Sequence, residues 1–334
     1  MKALVTGASG MIGTHLVQEL RARNYEVRAL VRKTSDVAYL KALDVEIVVG
    51  DVEDYDSLIP ATRGVDVVFH AAARVMPGWG SWREFESSIV QGTKNMLEAS
   101  VKAGVPRFVN FSSGTVYGKA CHCGIPATES TPCEVEFRPE SYYDYAKLQA
   151  EKIAFRYHDE GKLQVSSLRP GWVYGPRDRL LVDRLYRQLH MPIVVWPGKA
   201  NPRIPLVFAS DVANCAILAA TNDRAAGQAY NVAPLQEIRL RDFAVAMARA
   251  LQRPEPRIYI PYSLAYAVCA LVESWYKLRR VKELPYLTRS ALGHLNTELL
   301  LDASKAKNEL GWEPKVSLEE GVRRCVEWWR SHKK

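Results

Sequence analysis

Short apolar runs alternate with helix-spaced patterns through the first half of the chain. "KALVTG" (2–7), "YEVRALVR" (25–32), "VEIVVGD" (45–51), "VDVVFHAAA" (65–73), "RFVNFSS" (107–113) and "QVSSLRP" (164–170) read as strands. Between them, 13–24, 56–62 and 88–104 carry apolar residues at helical spacing, as does a stretch beginning near Tyr143. Strands that are nearly all apolar and alternate with helices predict a parallel sheet covered on both faces. The fold class expected is therefore α/β, a doubly wound Rossmann-type sheet. After about residue 175 the pattern loosens into turn-rich segments such as "WPGKANPRIP" and "RPEPRIYIPY", with helices at 210–221 and 318–329. This predicts a nucleotide-binding domain over 1–174 and a smaller, partly helical substrate region over 175–334. Elements near 207–232 are expected to return to the first body.

Composition narrows the class. A chain of 334 residues that is 48% hydrophobic and 25% charged suits an ordinary soluble globular protein. The net charge of +8 would suit an anionic partner, yet the basic residues are spread along the chain, without a basic run or a nucleic-acid module. Nucleic acid is therefore not an expected partner. The start "MKALVTGASG" lacks the apolar region of a signal peptide, and no run approaches the length of a spanning helix. Six cysteines in such a chain suggest reduced thiols and a cytoplasmic location. "CHCG" places Cys121, His122 and Cys123 together, with Cys133 following, but Cys-x-Cys is tighter than structural zinc spacing and no second pair follows. No metal site is expected.

The candidate chemistry begins at "TGASGMIG" (6–13). After a strand and before a helix, Gly7 allows the tight turn, Gly10 the approach of a pyrophosphate, and Gly13 close helix packing. Met11 and Ile12 open the helix whose free N–H groups would meet the phosphates. Where an acidic residue would hold the adenosine ribose of NAD, the chain has Arg32 and Lys33. A guanidinium there can grip a 2′-phosphate, so NADP(H) is expected over NAD(H). A solvated basic turn is the plainer alternative.

"SYYDYAKLQAEK" (141–152) sets three tyrosines ahead of one lysine. On a helix, Tyr143 lies over Lys147, while Tyr142 and Tyr145 point elsewhere. An ammonium beside a phenol would lower its pKa and suit it to pass protons near neutrality. With 16 tyrosines, such a pair also arises by composition, and an ordinary amphipathic helix is the plainer reading.

Taken in order, "TGASGMIG", "GDVED" (50–54), "HAAA" (70–73), "FSSGTVYG" (111–118), Tyr143/Lys147, "LRPGWVYGP" (168–176), "SDVA" (210–213) and "YNV" (230–232) resemble the extended short-chain dehydrogenases/reductases over essentially the whole chain. That resemblance implies residue roles. Asp51 and Val52 would contact adenine, Ala71 and Ala72 would line the cofactor path, and Pro170 would sit near the nicotinamide, with Val173 completing the set. Ser113 would hydrogen-bond the substrate oxygen and Tyr143 would be the general acid/base. Lys147 would bind the nicotinamide ribose and lower the Tyr143 pKa. Retention of Ser113, Tyr143 and Lys147 argues against a non-catalytic regulator. One departure is Ile89, where the family commonly has an asparagine that supports a helix irregularity and a water-mediated proton path.

Two substrate classes share this machinery. Nucleotide-sugar epimerases commonly place an arginine seven residues before the "DVA" aspartate and a histidine three before it; here Ile204 and Phe208 stand there, with Arg203 one place off. The C-terminal half instead resembles the 3β-hydroxysteroid dehydrogenase and sterol-decarboxylating branch, and proteins of hopanoid gene clusters. The expected function is an NADP-preferring dehydrogenase/reductase of a hydrophobic, sterol-like alcohol or ketone, with a nucleotide-sugar epimerase or dehydratase as the alternative. The segment 259–283 reads as one apolar helix running into Lys277, Arg279, Arg280 and Lys282, suited to peripheral contact with anionic lipid. Glu273 within it argues against deep insertion. A homodimer is the family-level expectation.

Overall fold

The fold was analysed in a computed structural model, which describes residues 1–75, 79–279, 281, 285 and 288–332. In the first half strand and helix alternate. β1 (Lys2–Thr6) leads to α1 (Met11–Ala22), β2 (Glu26–Val31) to the short α2 (Ala38–Lys41), and β3 (Glu46–Val49) to α3 (Tyr55–Thr62). β4 (Val67–His70) precedes α4 (Trp82–Phe85), a π-helical turn (Glu86–Gln91) and α5 (Gly92–Lys102). β5 (Arg107–Phe111) connects through a long loop to α6 (Tyr142–Asp159), which returns as β6 (Gln164–Pro170). Then follow β7 (Trp172–Tyr174), α7 (Leu181–Leu189), β8 (Val195–Pro197), β9 (Leu206–Phe208), α8 (Ala209–Thr221) and β10 (Ala229–Val232). The chain closes with α9 (Leu240–Ala250), β11 (Ile258–Ile260), α10 (Tyr262–Leu278), α11 (Arg289–His294), α12 (Ser304–Leu310) and α13 (Leu318–His332).

Seven strands form one parallel sheet in the order β10-β6-β5-β4-β1-β2-β3. The expected Rossmann-type fold is present. Alternation along β1 explains its two covered faces: Ala3 and Val5 join Leu16, Val17 and Val212 on one side, while Leu4 joins Leu58, Met96 and Leu97 on the other. Burial on both faces is what removes the polar alternation from these strands. The strand order reverses between β1 and β4, and in open α/β sheets ligands bind beyond the strand ends at such a point.

The later segments fold back onto this body. β10 bonds β6 at the sheet edge, and α8 lies against α1. Asp211, from "SDVA", is a tether: its carboxylate accepts the Lys315 and Val316 N–H groups, and its carbonyl accepts the Trp312 indole N–H. A separate core of Tyr174, Leu185, Trp196, Phe243, Met247 and Trp329 gathers β7 to β9, α7, α9 and α13. The 259–283 reading needs correcting at its start, because Tyr259 and Ile260 pair with β8 and Pro261 precedes the helix. Arg280 and Lys282 lie outside the described residues. All six cysteines are free thiols.

Candidate active site

The glycine turn is shaped by what it lacks. Gly7 has φ +65°, and a Cβ there would stand 2.9 Å from the Ala71 carbonyl and the Ala72 nitrogen. A Cβ on Gly13 would stand 2.1 Å from the Gly7 oxygen. The Gly10 N–H donates to the Gly7 carbonyl at 2.9 Å, closing the turn, and α1 starts at half-buried Met11 and Ile12. First-turn N–H groups have no partner within a helix, so a side-chain-free cradle and an anion-attracting helix end coincide. These features fit a dinucleotide pyrophosphate.

The neighbouring strand ends are pinned by side chains behind them. The His70 ring bridges the Thr6 and Thr93 hydroxyls at 3.0 and 3.1 Å, and the Ala72 N–H donates to the Thr6 hydroxyl at 3.1 Å. Burial, aided by the Lys147 charge, lowers the His70 pKa to about 3, so the ring is neutral and serves as a brace. Asn95 donates to the Val52 carbonyl at 2.8 Å, and the Asp51 N–H donates to the Ser57 hydroxyl at 3.0 Å. Thus Ala71, Ala72, Asp51 and Val52 stand at fixed strand ends. Arg32 and Lys33 follow β2 with exposed side chains and no ion-pair partner among the described residues. Pro170 ends β6 and Val173 lies in β7.

Ser113 lies two residues beyond β5, near enough to the Tyr143 phenol of α6 for its hydroxyl to draw the phenol's pKa down. Lys147, 6% exposed, donates from Nζ to the Phe111 carbonyl at 2.6 Å. The structure therefore brings all three side chains together at the end of β5. Burial lowers the Lys147 pKa to about 8 against the opposing Glu151 charge, which still leaves it mostly cationic at pH 7.

The expected effect of Lys147 on Tyr143 is corrected. Burial pushes the phenol up, the Asp144 charge pushes it further, and only the Ser113 hydroxyl pulls it down. Desolvation acts on the whole ring, while the ammonium is directed at a carbonyl. Tyr142 and Tyr145 point elsewhere, as expected, into a cluster with Trp82 and Phe137.

Ile89 is 1% exposed and packs with Phe85, Ala146 and Ala150. It sits inside the π-helical turn, so the irregularity persists here on apolar packing against α6.

Sequence reasoning missed the support beneath the trio. Arg169, 7% exposed, makes a two-pronged ion pair with Glu151, whose carboxylate also accepts from Ser167 at 2.9 Å. Arg169 also donates to the Tyr117 hydroxyl at 2.8 Å, which donates to Asn231 at 2.7 Å. The available signal was an arginine inside a strand of the sheet, since a buried charge demands a partner.

A seven-stranded parallel sheet with a glycine turn at its switch point and a Ser–Tyr–Lys trio beyond β5 defines the extended short-chain dehydrogenase/reductase class. The model of the NAD dependent epimerase/dehydratase family matches residues 3–233, well over half the chain, and the chain belongs to that family. It is 30% identical to a 2-alkyl-3-oxoalkanoate reductase of Stenotrophomonas maltophilia, over 97% of this chain and 98% of that one. It is 27% identical to a 3-beta-hydroxysteroid dehydrogenase of Mycolicibacterium neoaurum, over 98% and 91%. Among solved structures, a dTDP-glucose 4,6-dehydratase from Streptomyces venezuelae with NAD bound superposes with a TM-score of 0.80 at 27% identity, covering 100% of this chain and 98% of that one.

Proposed function

We propose that this protein is an NADP(H)-preferring oxidoreductase that interconverts a secondary alcohol and a ketone on a hydrophobic molecule, sterol-like or long-chain. The observation that carries the reading is the meeting of Ser113, Tyr143 and Lys147 beside the glycine cradle. When bound, the nicotinamide supplies or accepts the hydride. The Ser113 hydroxyl then steadies the negative charge growing on the carbonyl oxygen, and Tyr143 delivers its proton there. Lys147, buried and cationic, faces the same strand end and would hold the nicotinamide ribose. The preference for NADP(H) rests on Arg32 and Lys33, free to meet a 2′-phosphate. The names of the reductase and steroid dehydrogenase relatives each describe an apolar skeleton that carries an oxo or hydroxyl group, beside a carboxylate in the oxoalkanoate, which suits this substrate class.

The dehydratase likeness supports a nucleotide-sugar reading, but the local residues disfavour it. Ile204 is buried, and Arg203 is held two-pronged by Glu298 at 2.8 and 2.7 Å. Phe208 packs edge-on against His15 and Tyr174. The deciding experiment follows reduced-nicotinamide absorbance with NADP or NAD and matched panels of hydroxy-lipids and nucleotide sugars. Net reduction with a lipid alcohol supports the proposal. A sugar epimerised or dehydrated without net signal overturns it.

The reading extends to a lipid surface. α10 buries only Ala265, Cys269 and Glu273, four residues apart, and leaves Leu264, Val268, Leu271, Trp275 and Leu278 exposed, with Lys277 and Arg279 at its end. Tyr276 of the same helix meets Trp79, on the loop that follows β4. No described helix is long and apolar enough to cross a membrane. An apolar face with a cationic end fits the interface of an anionic bilayer and would place apolar substrate near the site.

A further inference from the structure

We propose that the groove between α1 and α13 is a binding site for a small organic ammonium ion that carries an apolar group. The two helices turn matching stripes, spaced i, i+3, i+4, toward each other. His15, Gln18 and Glu19 stand on one wall, and Arg324, Glu327 and Trp328 on the other. The space between them measures about 680 Å³, within the range of sites that hold small organic molecules. It lies across the sheet from the helix that carries Tyr143. α1 covers one face through Leu16, Val17 and Leu20, while α6 reaches the core of the other through Ala154. The reaction at Tyr143 therefore leaves this groove unexplained.

His15 is the residue that points to a ligand. It is 8% exposed, its Nδ1 donates to the Met11 carbonyl at 2.9 Å, and its Nε2 has no hydrogen-bond partner among the described residues. A carbonyl only accepts, so the ring hydrogen sits on Nδ1 and Nε2 offers a lone pair. Phe208 meets the ring edge-on at 5.6 Å. A Cβ on Gly175 would stand 3.6 Å from Nε2, and its absence leaves room for a donor there. Burial holds the His15 pKa below its ordinary value against the Met11 bond, and the Arg177 and Arg324 charges act with it, so the ring is neutral. A lone pair this deeply buried needs a donor. Glu19, one turn along the same stripe, adds a half-buried carboxylate with no ion-pair partner among the described residues.

The charges decide the kind of ligand. Arg324 is compensated, since its Nε donates to Glu320 at 2.6 Å and its guanidinium lies over the Phe208 ring. Glu327 is shared with Arg323. Arg177 turns onto the Tyr39 ring at 4.4 Å and does not line the groove. Glu19 is left as the open charge, and with His15 Nε2 it sets two acceptors side by side. An ammonium, with three hydrogens to donate, matches both. A metal ion does not suit the place, because no group of His, Cys, Asp and Glu among the described residues could hold one. Trp328, Phe208 and Pro176 give the groove an apolar side for the rest of the molecule, and an aromatic face also attracts a cation. Through Nδ1 the same His15 ring holds Met11, which opens the cofactor helix, so the groove backs onto the glycine cradle.

The test uses phenethylamine as the probe, with phenethyl alcohol as its uncharged match and methylamine as the ammonium without the ring. The full chain is labelled with nitrogen-15 histidine and studied at about pH 8, where the amine is charged and His15 neutral. The His15 Nε2 resonance is assigned by its loss in His15→Gln. Phenethylamine should shift it saturably, with a Kd below about 10 mM. The alcohol and methylamine should each bind at least about tenfold more weakly. Glu19→Gln keeps the shape of the wall and removes its charge, so it should weaken the amine by about tenfold, the share of one charge-assisted bond, with the circular dichroism spectrum unchanged. No saturable shift, or equal affinity for amine and alcohol, overturns the proposal. Amine binding that Glu19→Gln leaves intact does the same. No turnover is needed, so the outcome is independent of the role given to Tyr143.

Discussion

The end of β5 and the outer face of α10 break the inside–outside rule in opposite directions. Around the trio the protein buries Lys147, Glu151, Arg169 and His70, groups that water would solvate more favourably. On α10 it leaves Leu271 72% and Leu278 81% exposed. In the first region each of these buried polar groups has a partner, so the desolvation is offset inside the fold. In the second, nothing among the described residues covers the apolar side chains. A folded chain tolerates the first by hydrogen bonding and the second only at a cost in solubility. We read the first as a preorganised reaction site and the second as a surface meant for something outside the molecule.

The largest effect expected tests the buried region at its reacting atom. Tyr143→Phe removes the phenol proton and keeps the ring, so turnover should fall by about 10²–10⁴-fold. Cofactor binding, followed by fluorescence titration, and the far-ultraviolet circular dichroism spectrum should be unchanged. Substantial remaining turnover would deny that the burial around Tyr143 serves proton transfer.

Glu151→Gln tests whether that region is self-compensating. It leaves the Arg169 guanidinium buried beside a neutral amide, and breaking a buried pair in this way costs about 3–5 kcal/mol. Chemical denaturation should show that loss. A change below about 1 kcal/mol would mean that water reaches Arg169 and that the region is less dry than the contacts imply.

These two regions also differ in how far the sequence revealed them. The parallel sheet was legible because β1 to β4 are mostly apolar and alternate with helix-spaced segments, and the glycine turn because Gly7 and Gly13 stand where a Cβ would strike backbone. The pairs β7–β9 and β8–β11 were not, since three-residue strands are too short to show a period. Glu151 and Arg169 belong to one ion pair, but 18 residues separate them and no local pattern joins them. The direction of the Tyr143 shift was hidden for the same reason. Desolvation depends on what packs around the ring, whereas helical spacing reports only the lysine one turn away. On α10 the residue types were legible, but which stripe is buried depends on Leu292 and Ile260, which come from other segments.

Between the two extremes lies the exposed charge at the end of β2. Arg32→Ala should weaken NADPH by about tenfold, the ~1.4 kcal/mol of one charge-assisted bond, and leave NADH nearly unchanged. Equal losses for both cofactors, measured by fluorescence titration, would return Arg32 to an ordinary solvated turn.

The smallest effect on folding, and the sharpest test of the exposed region, belongs to α10. Leu271 and Leu278 touch little within the chain, so Leu271→Ser with Leu278→Ser should shift unfolding by no more than about 0.5 kcal/mol per site. Each removes an isobutyl group that would enter the bilayer interface, where burying a leucine side chain is worth roughly 1.5–3 kcal/mol. Co-sedimentation with vesicles containing anionic lipid should therefore drop sharply in the double variant. High salt should weaken wild-type binding by screening the charges at the helix end, Lys277 and Arg279. If the wild type ignores vesicles but sediments as a dimer that the double variant dissolves, the occupant of this face is a second copy of the chain. If neither assembly forms, the face is merely tolerated, and the contrast between a site completed inside the fold and a surface completed outside it fails on its second half.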